Sequence, residues 1–291
     1  MRVLVLGAGG MLARDLIRAA PPGTELLAPP ESEADVTNEA VMVRAVTDAN
    51  PDVIVNCAAY TNVDGAEAER ERAFLINGEA PGIVGRAVRR SGGRAVVVHY
   101  GTDYVFDGRG RRPYREDDVT GPLGVYGESK LAGERALAAS GAEYLIIRTQ
   151  WLFGLRGRSF PRTMWERATS GKATRVVNDQ VGRPTYTVDL ARATWRLIWK
   201  RGTESARTDV LLHVANSGHA TWYDVARRVF AGAGAPQLLA PCTTREYPTP
   251  AARPAFSPLD TARYEALAGE PLPPWETAVD RFLDELRTEA A

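Results

Sequence analysis

Short, unbroken aliphatic runs recur along the first half of the chain: Val3-Leu4-Val5-Leu6, Val53-Ile54-Val55, Val96-Val97-Val98 and Leu145-Ile146-Ile147. A strand with one wet face would alternate apolar with polar residues, so continuous runs of this length predict strands buried on both faces of a parallel sheet. Glu25 to Ala28 reads as the second strand, ending at Pro29-Pro30, and Asp35-Val36-Thr37 as a short strand end before a helix capped by Asn38 or Thr37. The run Tyr144 to Arg148 is then the sixth strand. Between the strands lie segments at helical spacing: Asp15 to Arg18, the charged stretch Glu67 to Glu71 leading toward Asn77 with a solvated face, Ile83 to Arg90, and Gly124 to Leu137. Strands alternating with helices in this way predict βαβ units and an α/β fold of the Rossmann type, a doubly wound parallel sheet with helices on both faces.

After Trp151 the rhythm changes. Loop-like Arg156-Gly157-Arg158 and Ser170-Gly171-Lys172, a short Val176-Val177, a turn over Gln180 to Thr185, a helix from Val188 to Lys200 and a strand at Leu211 to Val214 follow one another. Thr221 caps a helix beginning near Trp222, and prolines at 241, 248, 250, 254 and 258 mark a long irregular segment of the kind that often carries function. We expect residues 1–150 to form a dinucleotide-binding domain. Residues 151–291 would form a smaller C-terminal lobe over the carboxyl ends of the strands, with some segments returning to the first domain.

Two groups of residues suggest chemistry. Gly7-x-x-Gly10-x-x-Ala13 falls directly after the first strand and opens a helix, where glycines allow a tight turn and a pyrophosphate can approach the helix N-terminal amides. No acidic residue sits at the end of the second strand to take adenosine ribose hydroxyls; Glu31 and Glu33 would repel a 2′-phosphate and Arg14 would attract one, leaving NADH and NADPH both open. The second group is Thr102, at the end of the strand beginning at Val96, with Tyr126 and Lys130. Four residues apart on one helix, Tyr126 and Lys130 share a face, so the ammonium can lie beneath the phenol and favour its ionisation. Asp52 to Tyr60 ends in small residues, as a backbone passing close to a flat cofactor ring requires.

Composition narrows the setting. The 36 basic and 36 acidic side chains cancel, so no electrostatic case exists for nucleic acid or an anionic membrane surface. Cys57 and Cys242 are read as small buried hydrophobes, which suits a reducing cytoplasm. Met1 to Leu6 is too short for a signal sequence, and no apolar run approaches the roughly 20 residues that span a bilayer. His99, His213 and His219 share no metal-ligand spacing, and His99 reads as a satisfied core residue. Trp222 and Trp275 fit helix packing, whereas Trp151, just past a strand end, suits stacking on a sugar or base as well as a core.

With these residues in hand the chain resembles the extended short-chain dehydrogenase/reductases, and among them the dTDP-4-dehydrorhamnose reductase family. The resemblance rests on the glycine turn, Asp52 to Asn56 leading into Ala58 to Thr61, Thr102 to Gly108, Tyr126 to Glu134, Arg148-Thr149-x-Trp151, Asp179-Gln180-x-Gly182-x-Pro184-Thr185, and Arg253-Pro254 with Ser257. It implies reduction of the 4-keto group of a dTDP-linked 6-deoxy-L-hexose by a nicotinamide, with Tyr126 as proton donor, Lys130 as its modulator and Thr102 as second donor. Gly7, Gly10, Met11 and Leu12 would hold the pyrophosphate, Asp35 and Val36 the adenosine end, and Ala58, Ala59 and Tyr60 the nicotinamide side. Asp103, Trp151 and Arg253 would meet the dTDP-sugar. Some members of the family bind magnesium at a dimer contact through three carboxylates; Asp15, Asp189 and Glu285 fall near those places, where plain surface charge is the competing reading, and a homodimer is the implied assembly. The family usually has Ser at Gly101 and Gly at Ala13, and a hydroxyl missing beside Thr102 bears on how the sugar is held. Two other readings remain: a ketoreductase of another dTDP-deoxysugar, such as dTDP-dihydrostreptose synthase, and a non-catalytic subunit like the regulatory subunit of methionine adenosyltransferase.

Overall fold

Strands β1 (Arg2–Leu6), β2 (Glu25–Leu27), β3 (Val53–Asn56), β4 (Val96–Thr102), β5 (Tyr144–Thr149) and β6 (Asp209–His213) send alternate side chains into two separate cores in the computed structural model, which describes residues 1–203 and 209–290. Val3, Val5, Val55, Val98, Leu145 and Ile147 enter one core, while Leu4, Leu6, Ile54, Val97 and Ile146 enter the other. Both faces are buried, which is why the strands read as unbroken apolar runs. The strands form one parallel sheet in the order β6-β5-β4-β3-β1-β2.

Helices α1 (Met11–Arg18), α2 (Glu39–Ala49), α3 (Ala80–Arg90) and α4 (Val125–Ala138) connect the first five strands. The first core is closed by Leu12 and Leu16 of α1 and by Leu190 and Trp195 of α6 (Thr187–Thr203); the second by Met42, Val46, Val84, Val88 and Leu137 of α2, α3 and α4. Complete burial of each of these large aliphatic side chains stabilises the fold by about 1.5–3 kcal/mol. A third core, around Phe153, Tyr186, Phe230 and Phe282, joins α5 (Phe160–Thr169), α7 (Trp222–Gly232) and α8 (Trp275–Ala290).

Three expectations are corrected here. Asp35-Val36-Thr37 is a turn, because the Asp35 carboxylate accepts from the Thr37 backbone N–H at 2.9 Å and from its hydroxyl at 2.7 Å, and such a local bond competes with strand pairing. The run at Tyr144 is therefore the fifth strand in chain order, β2 is the sheet edge, and Asn38 rather than Thr37 caps α2. The stretch Gln180 to Thr185 is not only a turn: Val181–Gly182 pairs with Ala220–Thr221, and Thr185–Tyr186 with Leu152–Phe153.

The proline-bearing stretch is laced across the sheet's carboxyl end. Val181 N–H donates to Ala255, Ser257 N–H to Val181, Phe256 N–H to Gly108 and Tyr114 N–H to Pro258, so the segment meets the loop that follows β4. Among the described residues no helix is long and apolar enough to cross a membrane.

Thr221 is the N-cap of α7, its hydroxyl accepting from Asp224 N–H at 3.0 Å while the Asp224 carboxylate accepts from Thr221 N–H at 3.0 Å. Thr221→Ala is expected to cost about 1 kcal/mol, a fall of roughly 2–4 °C in Tm by differential scanning calorimetry.

Candidate active site

β1 and β3 are sheet neighbours whose chains then leave in different directions, and the glycine turn lies at their carboxyl ends. Gly7 has φ +70°, and a Cβ there would sit 2.7 Å from Ala58 N, so the first bend and the end of β3 approach as closely as backbones can. Gly10, N-cap of the eight-residue α1, contributes no side-chain cap, and the first turn carries no acidic residue. The N-terminal amides of Met11 and Leu12 are thus left for an anion. Small Ala58 and Ala59, both half-buried, follow β3. This donor set and its lack of side-chain bulk fit the pyrophosphate and ring of a dinucleotide.

Lys130 and Tyr126 lie one turn apart on α4, as the spacing requires. The Lys130 side chain is buried at 3 % exposure, and its ammonium donates to the Tyr100 carbonyl of β4 at 2.6 Å. Burial pulls it down to about 8, against the opposing charge of Glu134. Tyr126 is half-buried with its ring edge-on to Tyr104, centroids 5.4 Å apart. Here the structure departs from expectation: burial pushes the phenol up to about 12, the charge of Asp103 adds to the rise, and the Thr102 hydroxyl is what opposes it. The Lys130 ammonium is spent on a strand carbonyl, so it does not acidify the phenol in the ligand-free chain. A phenol that keeps its proton at neutral pH is still suited to donating it.

Thr102 also donates to Asp103 at 3.2 Å, and Asp103, 1 % exposed, accepts from Ser257 of the proline-bearing segment at 2.6 Å. Burial pushes the Asp103 carboxyl up to about 7 despite these bonds. Arg253 does not present a free guanidinium: both terminal nitrogens donate to Asp64, at 2.6 and 2.8 Å. The Trp151 ring is stacked on Trp222 with centroids 3.6 Å apart, and its backbone takes φ +47°, a strained value for a residue with a side chain. One face of that ring is therefore covered by protein. Asp35 Oδ1 is engaged with Thr37 while its Oδ2 carries no such bond, and Val36, 7 % exposed, enters a core, so Val36 has only its backbone left to meet an adenosine. Tyr60 sends its hydroxyl to Glu69 at 2.9 Å.

The three metal candidates are each engaged: Asp15 accepts from Thr187, Asp189 from Arg281 and Asn216, and Glu285 from Tyr186. They form no grouping able to hold a metal among the described residues. His99 is buried and kept neutral, with Nδ1 3.4 Å from Asn56; its Nε2 has no partner, so it is less satisfied than its strand position suggested.

A family model described as the RmlD substrate binding domain matches residues 1–288. The chain belongs to this family. Among curated relatives, a probable dTDP-4,6-dihydroxy-2-methyloxan-3-one 4-ketoreductase from Streptomyces antibioticus is 40 % identical over 292 residues, covering 99 % of this chain and 97 % of its own. The dTDP-4-dehydrorhamnose reductase of Escherichia coli K12 is 40 % identical over 301 residues, covering both chains completely. Among solved structures, dTDP-4-dehydrorhamnose reductase from Bacillus anthracis in complex with NADP superposes with TM-score 0.89 at 34 % identity, over 98 % of this chain and 99 % of the other.

Three residues at this family site were not singled out from the sequence. Asn77 accepts from Tyr60 N–H at 2.9 Å, donates to Tyr60 O at 2.9 Å and to Ser129 at 3.2 Å, clamping the loop after β3 to α4. Glu67 accepts from Val125 N–H at 2.9 Å and so caps α4. Asp64 anchors Arg253. A lone Asn in an apolar helical stretch was the available signal for the first; the other two sit in a charged run indistinguishable from a solvated face.

Two outcomes are expected. Gly10→Val, whose Cβ would stand a tight 3.2 Å from Gly7 O, should lower Tm only modestly, while NADPH affinity by fluorescence titration falls at least about tenfold. Gly101→Ser, whose Cβ would meet Glu134 and Arg148, should lower Tm and leave that affinity nearly unchanged. The second concerns pH: Lys130 carries its proton below about 8 and loses it above. The ratio kcat/KM, which reports the free enzyme, should accordingly fall about tenfold per unit above that pH.

Proposed function

We propose that this chain reduces the 4-keto group of a dTDP-4-dehydro-6-deoxy-L-hexose with NADPH or NADH, giving dTDP-L-rhamnose. The observation that carries the reading is that Thr102, Tyr126 and Lys130 gather at the carboxyl end of β4, the same edge of the parallel sheet at which α1 opens after β1. Full-length identity of 40 % to an enzyme named for this reaction supports it. NADPH is the proposed donor, since a relative is seen with NADP.

A bound reduced nicotinamide supplies the hydride to the carbonyl carbon. The chain's own residues do the rest. Tyr126 gives its proton to the carbonyl oxygen as that oxygen gains charge, and Thr102 offers a second hydroxyl to it. Lys130 holds α4 against β4 and places a positive charge behind Tyr126, ready to stabilise the phenolate left by proton transfer. Asp103, tied to Ser257, holds the Thr102 hydroxyl until the ketone oxygen takes its place as acceptor, and Asn77 fixes the loop on which a nicotinamide would rest. Positioning and proton transfer thus divide the work.

The Streptomyces antibioticus relative supports a second reading, 4-ketoreduction of a related dTDP-deoxysugar, in which the same residues perform the same steps. Intact Thr102, Tyr126 and Lys130 argue against a non-catalytic subunit.

Incubating the chain with dTDP-4-keto-6-deoxyglucose, a matching epimerase and each reduced nicotinamide in turn, with identification of the product sugar, tests the reading. Formation of dTDP-rhamnose is expected, and no consumption of either nicotinamide would overturn it. Tyr126→Phe should lower turnover at least ~100-fold, the lower end of a general acid's contribution, with NADPH affinity little changed.

A further inference from the structure

Beneath the candidate site lies a fully buried ion pair that the proposed chemistry does not use. Arg148 of β5 donates from Nε to both Glu134 oxygens, at 3.0 and 3.1 Å, and from Nη2 to one of them at 2.7 Å. The two side chains are 4 % and 6 % exposed. Arg148 is the register partner of Gly101 on β4. A Cβ on Gly101 would stand 2.3 Å from Glu134 Oε1 and 2.8 Å from Arg148 Cγ, so the pair occupies the space a side chain would need. Position 101 therefore faces α4 and not the sugar, which corrects the expectation that its missing hydroxyl bears on substrate. Arg148 lies over the Phe106 ring at 5.3 Å, and its Nη1 finds no acceptor.

Such a pair is costly to bury, and replacing it by apolar residues is often neutral or stabilising. Stability alone does not account for it. Its position does: Glu134 is one helical turn beyond Lys130 on the same face of α4. The groups facing Lys130 are Cys57 past β3, His99 and the Tyr100 carbonyl on β4, and Tyr126 on its own helix. Burial keeps Cys57, His99 and Tyr126 uncharged at neutral pH. Glu134 is then the formal negative charge available to Lys130 among the described residues.

We propose that Glu134, clamped by Arg148 in the space left by Gly101, is a positioning residue that keeps the Lys130 ammonium charged and aimed at Tyr100 O. This rests on the reading of Lys130 as an active-site group. Arg148 fixes the carboxylate, so the acid cannot turn and form a direct ion pair with Lys130 that would draw the ammonium away from Tyr100 O.

The chain has three lysines, Lys130, Lys172 and Lys200, so carbon-13 labelling of lysine gives three titrations that mutation can assign. In Glu134→Gln the Lys130 midpoint of the ligand-free protein should fall by about one unit, the size expected for losing a nearby opposite charge, with the other two unmoved. The alkaline limb of kcat/KM should fall with it. Glu134→Gln leaves a buried guanidinium unpaired and is at risk of misfolding; Glu134→Gln with Arg148→Met removes both charges, and its Lys130 midpoint should lie between wild type and the single variant. A Lys130 midpoint unmoved in the folded single or double variant overturns the proposal. A midpoint that moves while the kcat/KM limb stays put supports the coupling and overturns the catalytic reading of Lys130 instead.

Discussion

The bond from the buried Lys130 ammonium to the Tyr100 carbonyl is the contact on which the site depends. It joins the middle of α4 to the last turn of β4, the two elements that carry Tyr126 and Thr102. A buried ammonium is expensive unless it is well partnered. The partners here are a strand carbonyl at 2.6 Å and the negative charge of Glu134 a turn away, so strand, helix and charge must be assembled together.

The other contacts at the site tighten around that joint. Asn77 ties the loop after β3 to Ser129, Ser129 donates to the Tyr126 carbonyl, and Glu67 caps the start of α4. From the opposite side the proline-bearing segment brings Ser257 to Asp103 and Arg253 to Asp64. These bonds reach from the second half of the chain to the first, joining residues more than 150 positions apart. The two hydroxyl donors are thereby held in place while the glycine turn across β3 stays free of side chains.

The electrostatics of the site follow from its dryness. Burial raises Tyr126 and Asp103 and lowers Lys130, each toward its neutral form. A protonated phenol and an ammonium near the edge of its titration make a donor with a reserve of charge behind it. In the proposed reduction the pair of Tyr and Lys thus works through the order of protonation and through placement, not through an acidified phenol waiting in the ground state.

Which elements form, and where the first glycine bend and the Tyr-Lys pair fall, could be read from the amino acids alone. Short, β-branched apolar runs bounded by glycine and proline suit a doubly covered sheet, and helical spacing brings residues 126 and 130 to one face wherever the helix packs. Local signals went astray where one side chain overrode them, as when Asp35 folded back on Thr37 and cancelled a strand. What the tertiary structure alone decided is which distant groups meet: Lys130 with a carbonyl of β4, Ser257 with Asp103, Arg253 with Asp64, and Arg148 with Glu134 across the gap at Gly101. Charge and burial at a site are properties of such meetings, summed over neighbours from every packed element, and no single stretch of chain contains them.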